Sequence, residues 1–146
     1  ECIGWDITAL GLPASGQPFV AGSLRQHLEV EGGWLERGRI DAADARLLDG
    51  PLGLAGQRCI ATLFLATGSD LDRERRELAL AAAREVIEAH PLRATAGATS
   101  PDDRVVVVRA LAPLVEPAME LLKAVRKAWR PAMWGLAANP PRVWAL

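Results

Sequence analysis

The strongest constraint on the fold is a helical apolar pattern late in the chain. Its members recur at alternating spacings of three and four residues, as on one packed face of an α-helix: Val115, Ala118, Leu122, Val125, Trp129, Ala132 and Leu136. A second helix is predicted over about residues 71–89, capped by Ser69 or Asp70 and stopped by Pro91. Pro131 should kink or end the later helix. The chain therefore carries two principal amphipathic helices.

Strand patterns fill much of the remaining sequence. Apolar residues alternate over residues 3–12, and Gly32-Gly33 separates two alternating segments as in a β-hairpin. Residues 59–67 are apolar on both faces, and residues 92–99 and 104–111 predict two strands joined by a loop. The predicted fold class is α+β, β-rich with hairpins plus the two helices. We expect residues 1–68 to be mostly strands, and residues 69–146 to hold two helices with strands between them and a proline-rich tail.

Composition narrows the possible partners and compartments. The 146 residues are 50% apolar, enough for a buried core, and carry a formal net charge of -1, which gives no bulk attraction to nucleic acid or anionic membranes. Residues 105–115 are too short to span a bilayer and are interrupted by Arg109 and Pro113. Cys2 and Cys59 are isolated, and nothing near the first residue resembles a secretory signal. These features predict a reduced, cytoplasmic protein.

The sequence contains no recognisable catalytic constellation. Gly50, Gly53 and Gly56 lack the following Lys-Ser/Thr of a phosphate loop, so we interpret them as a turn. His27 and His90 have no second His or Cys at metal-ligand spacing. No nucleophile elbow occurs, and no carboxylate pair stands out for general acid-base work. We therefore predict a protein that is not an enzyme and has no tightly bound cofactor.

Carboxylates and tryptophans are the remaining candidates for function. Hard oxygen ligands spaced along strands are suited to a water-filled path for a divalent cation. A solvated strand face has the same composition and is the alternative. The carboxylates concerned are Asp6, Glu29, Glu31, Glu36 and Asp41. Trp129, Trp134 and Trp144 lie close together in sequence, and tryptophan is enriched at interface hot spots. Core packing accounts equally well for Trp129, which leaves Trp134 and Trp144 for a partner.

Several blocks of sequence resemble the urease accessory protein family UreD, called UreH in some organisms. They are residues 4–14 (GWDITALGLPA), Pro18-Phe19, residues 34–44 (WLERGRIDAAD) and residues 47–56 (LLDGPLGLAG). The ending, with WRP at 129–131 and PPRVW at 140–144, is similar to the family's terminal signature. The resemblance is collinear over nearly the whole chain. Family members are longer and have an N-terminal β-rich portion, so the chain looks like the C-terminal part of such a protein.

The resemblance implies a chaperone for metallocentre assembly. Such a factor binds apo-urease and, with UreF and UreG, supports GTP-dependent nickel insertion into the urease active site, with GTP hydrolysis belonging to UreG. The implied partners are UreF, UreG and apo-urease subunits, with no nucleic acid and no membrane. Nickel would be in transit, because a tight chelating site would trap the ion. The open alternative is a protein-protein scaffold module of the same fold without a nickel-delivery role.

Two sets of residues become hypotheses for these roles. The first would line or gate a nickel path and consists of strand carboxylates: Asp6, Glu29 and Glu36. The second follows the predicted helix break and would dock a protein partner: Trp134, Arg142 and Trp144.

Overall fold

The computed structural model describes residues 1–142 and combines two antiparallel sheets with helices. The strands are β1 (Cys2–Ala9), β2 (Ser23–Val30), β3 (Trp34–Asp41), β4 (Cys59–Ala66), β5 (Ala96–Asp102) and β6 (Val105–Ala112). The α-helices are α1 (Ala45–Asp49), α2 (Arg73–Glu88) and α3 (Val115–Trp134), with short 3-10 turns at Pro13–Ser15 and Pro91–Ala94. The predicted α+β class is confirmed.

Two layers cover the main sheet, one on each face. Its strand order is β1-β4-β6-β5, and β2 and β3 form a separate two-stranded hairpin. Val106 and Val108 point into the core shared with α2 and α3. Val105 and Val107 point to the other face of the sheet, where they form a cluster with Trp34 of the hairpin. All four valines are fully buried because both faces of β6 are covered. This explains the unbroken apolar run in the sequence.

Trp129 joins α3 to α2 in the main core. Its side chain is fully buried, and its indole Nε1 donates a hydrogen bond to the Ala79 carbonyl oxygen at 2.8 Å. Ala79 and Ala83, both fully buried on α2, are small enough to let the helices approach closely. The predicted seam is correct in its centre, where Ala118, Leu122 and Val125 are fully buried.

The ends of α3 differ from the sequence prediction. Val115 and Leu136 are 40% and 49% exposed, because the first lies in the opening turn and the second follows the helix. Pro131 does not end the helix, which continues to Trp134; the proline lacks one N–H donor, but the residues after it remain helical. Gly135 then takes a left-handed φ of 62°, and its N–H bonds the Pro131 carbonyl at 2.9 Å.

Three other boundaries also differ. Neither Ser69 nor Asp70 caps α2; Asp72 does, accepting a hydrogen bond from the Arg75 N–H at 2.8 Å. The β2–β3 turn has three residues rather than two, with Gly32 at a φ of 72°. Residues 100–102, predicted as loop, extend β5 through an irregular register next to β6. Within residues 1–142, no helix combines the length and apolar character needed to cross a membrane.

Glu1 connects the start of β1 to both long helices. Its carboxylate accepts hydrogen bonds from Arg75 Nη1 at 2.8 Å and Nη2 at 3.1 Å, and from the indole Nε1 of Trp134. The hydrogen bonds from Arg75, and then from Trp134, lower the pKa of Glu1 from 4.5 to about 2.

This depressed pKa predicts a pH-dependent contribution to stability. A carboxyl whose pKa is lower in the folded state stabilises that state above its unfolded pKa, and the contribution disappears as the pH falls through the folded pKa. We expect Glu1→Gln to lower the free energy of unfolding at neutral pH, and the difference from wild type to shrink between pH 4.5 and about 2. Urea midpoints measured across this range test it, with Glu88→Gln as an exposed control. A difference independent of pH would contradict the prediction.

Candidate functional site

A row of polar side chains crosses the main sheet on the face opposite α2 and α3. Asp6, Thr62 and Arg109 are direct register partners on β1, β4 and β6, so their side chains share this face. The hairpin lies over them: Gln26 Nε2 donates to Asp6 Oδ2 at 3.1 Å, and Arg109 Nε donates to Glu36 Oε2 at 3.1 Å. We call this set the inter-sheet polar strip, which consists of Asp6, Thr8, Gln26, Glu36, Thr62 and Arg109.

Apolar clusters lie on both sides of the strip. The first contains buried Leu10, Leu48 and Leu54, with Leu24, Ile40, Ile60 and Leu111 packed against it. The second contains Trp34, Val105 and Val107, with Leu28, Val30 and Phe64 packed against it. Thr62 lies in the middle strand of the row and is only 2% exposed. The strip is therefore a polar break in an otherwise apolar interface between two β-layers.

The two ends of the strip differ in charge. Asp6, on edge strand β1, accepts hydrogen bonds from Gln26 and, at 3.2 Å, from the Thr8 hydroxyl. At the other end the Glu36 carboxylate is paired with the Arg109 guanidinium, which also lies 5.9 Å from the centroid of the Trp34 ring. Asp6 thus has one hydroxyl oxygen and one amide N–H beside it and no cation, whereas the guanidinium of Arg109 neutralises Glu36.

The predicted metal-path carboxylates do not all meet. Asp6 and Glu36 belong to the strip, but Glu29 lies on the exposed face of the hairpin, where its Oε2 is 2.9 Å from His27 Nε2. In the described part of the chain, no three His, Cys, Asp or Glu side chains cluster in a way that could hold a metal ion. Single oxygen ligands spaced along the strip would bind a cation weakly. The metal roles of the three carboxylates stay predictions.

The predicted docking residues have separate environments. Trp134 is half-buried, packs against the main core and donates to Glu1. Arg142 is exposed at the end of the described chain, and Trp144 lies outside the described residues. Their partner-binding role stays a prediction.

Four strip residues were not singled out from the sequence: Thr8, Gln26, Thr62 and Arg109. Arg109 is a charge inside an apolar strand, and that interruption is the signal that could have identified it. Thr62 is a hydroxyl in a strand buried on both faces, and Gln26 is a polar residue on the apolar face of its strand. A polar residue on a buried strand face indicates a local polar site.

Comparison with known proteins gives a consistent family match. The family described as UreD urease accessory protein matches residues 1–145. Proteins named urease accessory protein UreD include one from Paracidovorax citrulli (strain AAC00-1), 65% identical over 100% of this chain and 53% of the relative. Another, from Polaromonas sp. (strain JS666 / ATCC BAA-500), is 63% identical with the same coverage, and one from Methylibium petroleiphilum is 43% identical over 99% and 53%. The chain spans about half the length of these curated relatives.

Proposed function

The chain belongs to the UreD family of urease accessory proteins, and on that basis we propose that it supports the maturation of urease. The observation that carries the proposal is the family match over residues 1–145, with identity of 65% to a named accessory protein. The role we propose is accessory rather than catalytic.

At the level of partners, we propose that the chain binds apo-urease in the cytoplasm and acts with UreF and UreG in GTP-dependent nickel insertion. We interpret the loop at Gly50, Gly53 and Gly56 as a turn rather than a nucleotide site, because its N–H groups bond within the chain. The N–H groups of Gly53 and Ala55 donate to the Gly50 carbonyl at 3.0 and 3.1 Å, and that of Gly56 donates to Leu48 at 3.0 Å. A phosphate-binding loop needs such groups for its ligand.

We further propose that the inter-sheet polar strip carries nickel in transit. Asp6 would attract the cation, and the Thr8 hydroxyl beside it offers a further weak oxygen ligand. Glu36 would act as a gate, because the guanidinium of Arg109 on its Oε2 opposes the approach of a cation while the pair is closed. Weak, spaced ligands suit transit because an ion must leave each site as readily as it enters.

The scaffold function remains the second candidate, and Arg109 is the observation that favours it. Its guanidinium is paired with Glu36, so this end of the strip has no net negative charge that would attract a divalent cation. If the strip does not pass cations, its role is to orient the hairpin on the main sheet. The chain would then assemble partners without passing nickel.

The maturation role is tested in cells that carry a complete urease gene cluster. Deleting the gene that encodes the chain is expected to leave urease without nickel and without activity. Urease activity and nickel bound per purified urease are the measurements. Fully loaded urease in the deletion strain would overturn the proposal.

The nickel path is tested separately by removing the two strip carboxylates. We expect Asp6→Asn with Glu36→Gln to lower nickel bound per urease about tenfold, while the accessory complex still copurifies. Glu85→Gln with Glu88→Gln removes two charges from the exposed face of α2 and is the matched control, and Glu29→Gln is expected to have a smaller effect because Glu29 lies outside the strip. Fully loaded urease with the double variant would favour the scaffold function.

A further inference from the structure

The outer face of the β2–β3 hairpin is rich in basic residues, and two of its arginines lie directly opposite each other. Arg25 is the direct register partner of Arg39, and His27 is that of Arg37. All four side chains are exposed, since they alternate with the residues that face the main sheet. Like charges directly opposite each other destabilise a sheet. The hairpin therefore carries an unfavourable arrangement that its own folding does not require.

Acidic side chains pair with two of these four basic residues, Arg39 and His27, but not with Arg25 or Arg37. Arg39 Nη2 bonds Asp41 Oδ2 at 2.9 Å. Glu29, in the neighbouring row, bonds His27 at 2.9 Å. Arg25 and Arg37 form no side-chain ion pair with any residue in the range 1–142. Two guanidiniums thus remain available for an outside ligand.

The face also has an apolar contact and a rigid support. Leu35, which is 50% exposed, lies opposite Glu29 in the row next to His27 and Arg37. The residue before it, Trp34, is 7% exposed and packs against the main sheet with its ring centroid 6.0 Å from that of Phe64. Because the hairpin packs on the main sheet through Trp34, its backbone loses little conformational freedom when a ligand binds to the outer face.

We propose that this surface, the outer arginine face (Arg25, His27, Leu35, Arg37 and Arg39), docks an acidic segment of a protein partner. Arginine binds carboxylates through paired hydrogen bonds, and the guanidiniums of Arg25 and Arg37, in adjacent rows, match a short run of Asp or Glu. Leu35 would contact an apolar side chain beside that run. This surface lies on the opposite side of the hairpin from the inter-sheet polar strip, so the proposal is independent of a nickel path.

The same observations disfavour nucleic acid as the occupant. Glu29 and Asp41 flank the arginines and would repel an extended phosphate backbone. The face also lacks Trp, Phe and Tyr, the side chains on which unpaired bases stack. A short acidic segment that contacts only Arg25 and Arg37 avoids these carboxylates, whereas an extended polyanion would meet them.

Binding to two probes tests the proposal: a fluorescent polyglutamate peptide and a single-stranded RNA of equal charge, each titrated with the chain. We expect polyglutamate to bind more tightly than RNA, and binding to weaken between about 20 and 150 mM NaCl. Arg25→Ser with Arg37→Ser is expected to weaken polyglutamate binding about tenfold. Arg46→Ser with Arg93→Ser removes the same charge from exposed arginines elsewhere and is expected to change binding by less than about twofold.

Stability provides an independent readout. Removing Arg25 and Arg37 relieves the cross-strand repulsion, so the double variant is expected to unfold at the same or a higher urea concentration than wild type. Purely structural arginines would give a lower midpoint. The proposal is overturned by absent polyglutamate binding, by equal binding to the double variant and control, by tighter binding to RNA, or by a lowered midpoint.

Discussion

Replacing Trp129 by alanine is expected to lower the free energy of unfolding by about 3–5 kcal/mol, the typical cost of emptying a large aromatic site. The side chain is fully buried between α2, α3 and the main sheet, and its Nε1 hydrogen bond to Ala79 would also be lost. A loss of this size is a large part of a domain's usual stability. Urea or thermal unfolding measures it.

Two further variants separate the causes of this loss. Trp129→Phe keeps most of the apolar volume but removes the donor to Ala79, and is expected to cost about 1–3 kcal/mol. Trp134→Ala is a matched tryptophan change at a half-buried position and is expected to cost less than Trp129→Ala. Equal losses at Trp129 and Trp134 would contradict the central role assigned to Trp129.

Gly53→Val is expected to be the most disruptive change in the loop after α1, at about 2–3 kcal/mol. A Cβ at Gly53 would lie 2.1 Å from the Leu47 carbonyl oxygen, so the backbone would have to move. That oxygen accepts the N–H of Leu54 at 2.7 Å, and Leu54 anchors the loop in the cluster beside the polar strip. The change therefore loosens packing as well as the turn.

Gly68→Ala is the control for Gly53→Val. An added Cβ at Gly68 meets nothing within 4 Å, and Gly68 has no positive φ. The unfolding midpoint of Gly68→Ala is expected to stay close to that of wild type. The midpoint of Gly53→Ala is expected to be lower than that of Gly68→Ala. If both alanine variants unfolded together, the steric account of the loop would be wrong.

Local periodicity predicted the elements whose stability depends on one buried face. The hairpin flanking Gly32-Gly33 and the centre of α3 are confirmed because alternation and helical spacing directly report such a face. The capping of α2 by Asp72 was missed because Ser69, Asp70 and Asp72 all suit an N-cap, and only the backbone geometry distinguishes them. When several candidate capping residues lie within four positions, the sequence does not determine at which of them the helix begins.

The polar strip could not be predicted from local patterns. Asp6, Thr62 and Arg109 meet only because three strands distant in sequence pair in one register. A shift of one residue in any strand would move its side chain to the opposite face. Ligand chemistry alone groups Asp6, Glu29 and Glu36, whereas the alternation of Leu28 and Val30 with Glu29 already places Glu29 on the polar face of its strand.

The strand order also determines when the main sheet can form during synthesis. Ala9 pairs with Cys59, and Cys2 pairs with Ala66. The partner strand of β1 is therefore synthesised about fifty residues after β1. At translation rates of about 5–20 residues per second, β1 is without its partner for several seconds. The β2–β3 hairpin, closed by local contacts, can form on a scale of about 1–10 μs once it emerges. The hairpin can therefore form before the sheet that it covers, although a lone hairpin is only marginally stable, and the apolar side of β1 is exposed to aggregation until β4 is made.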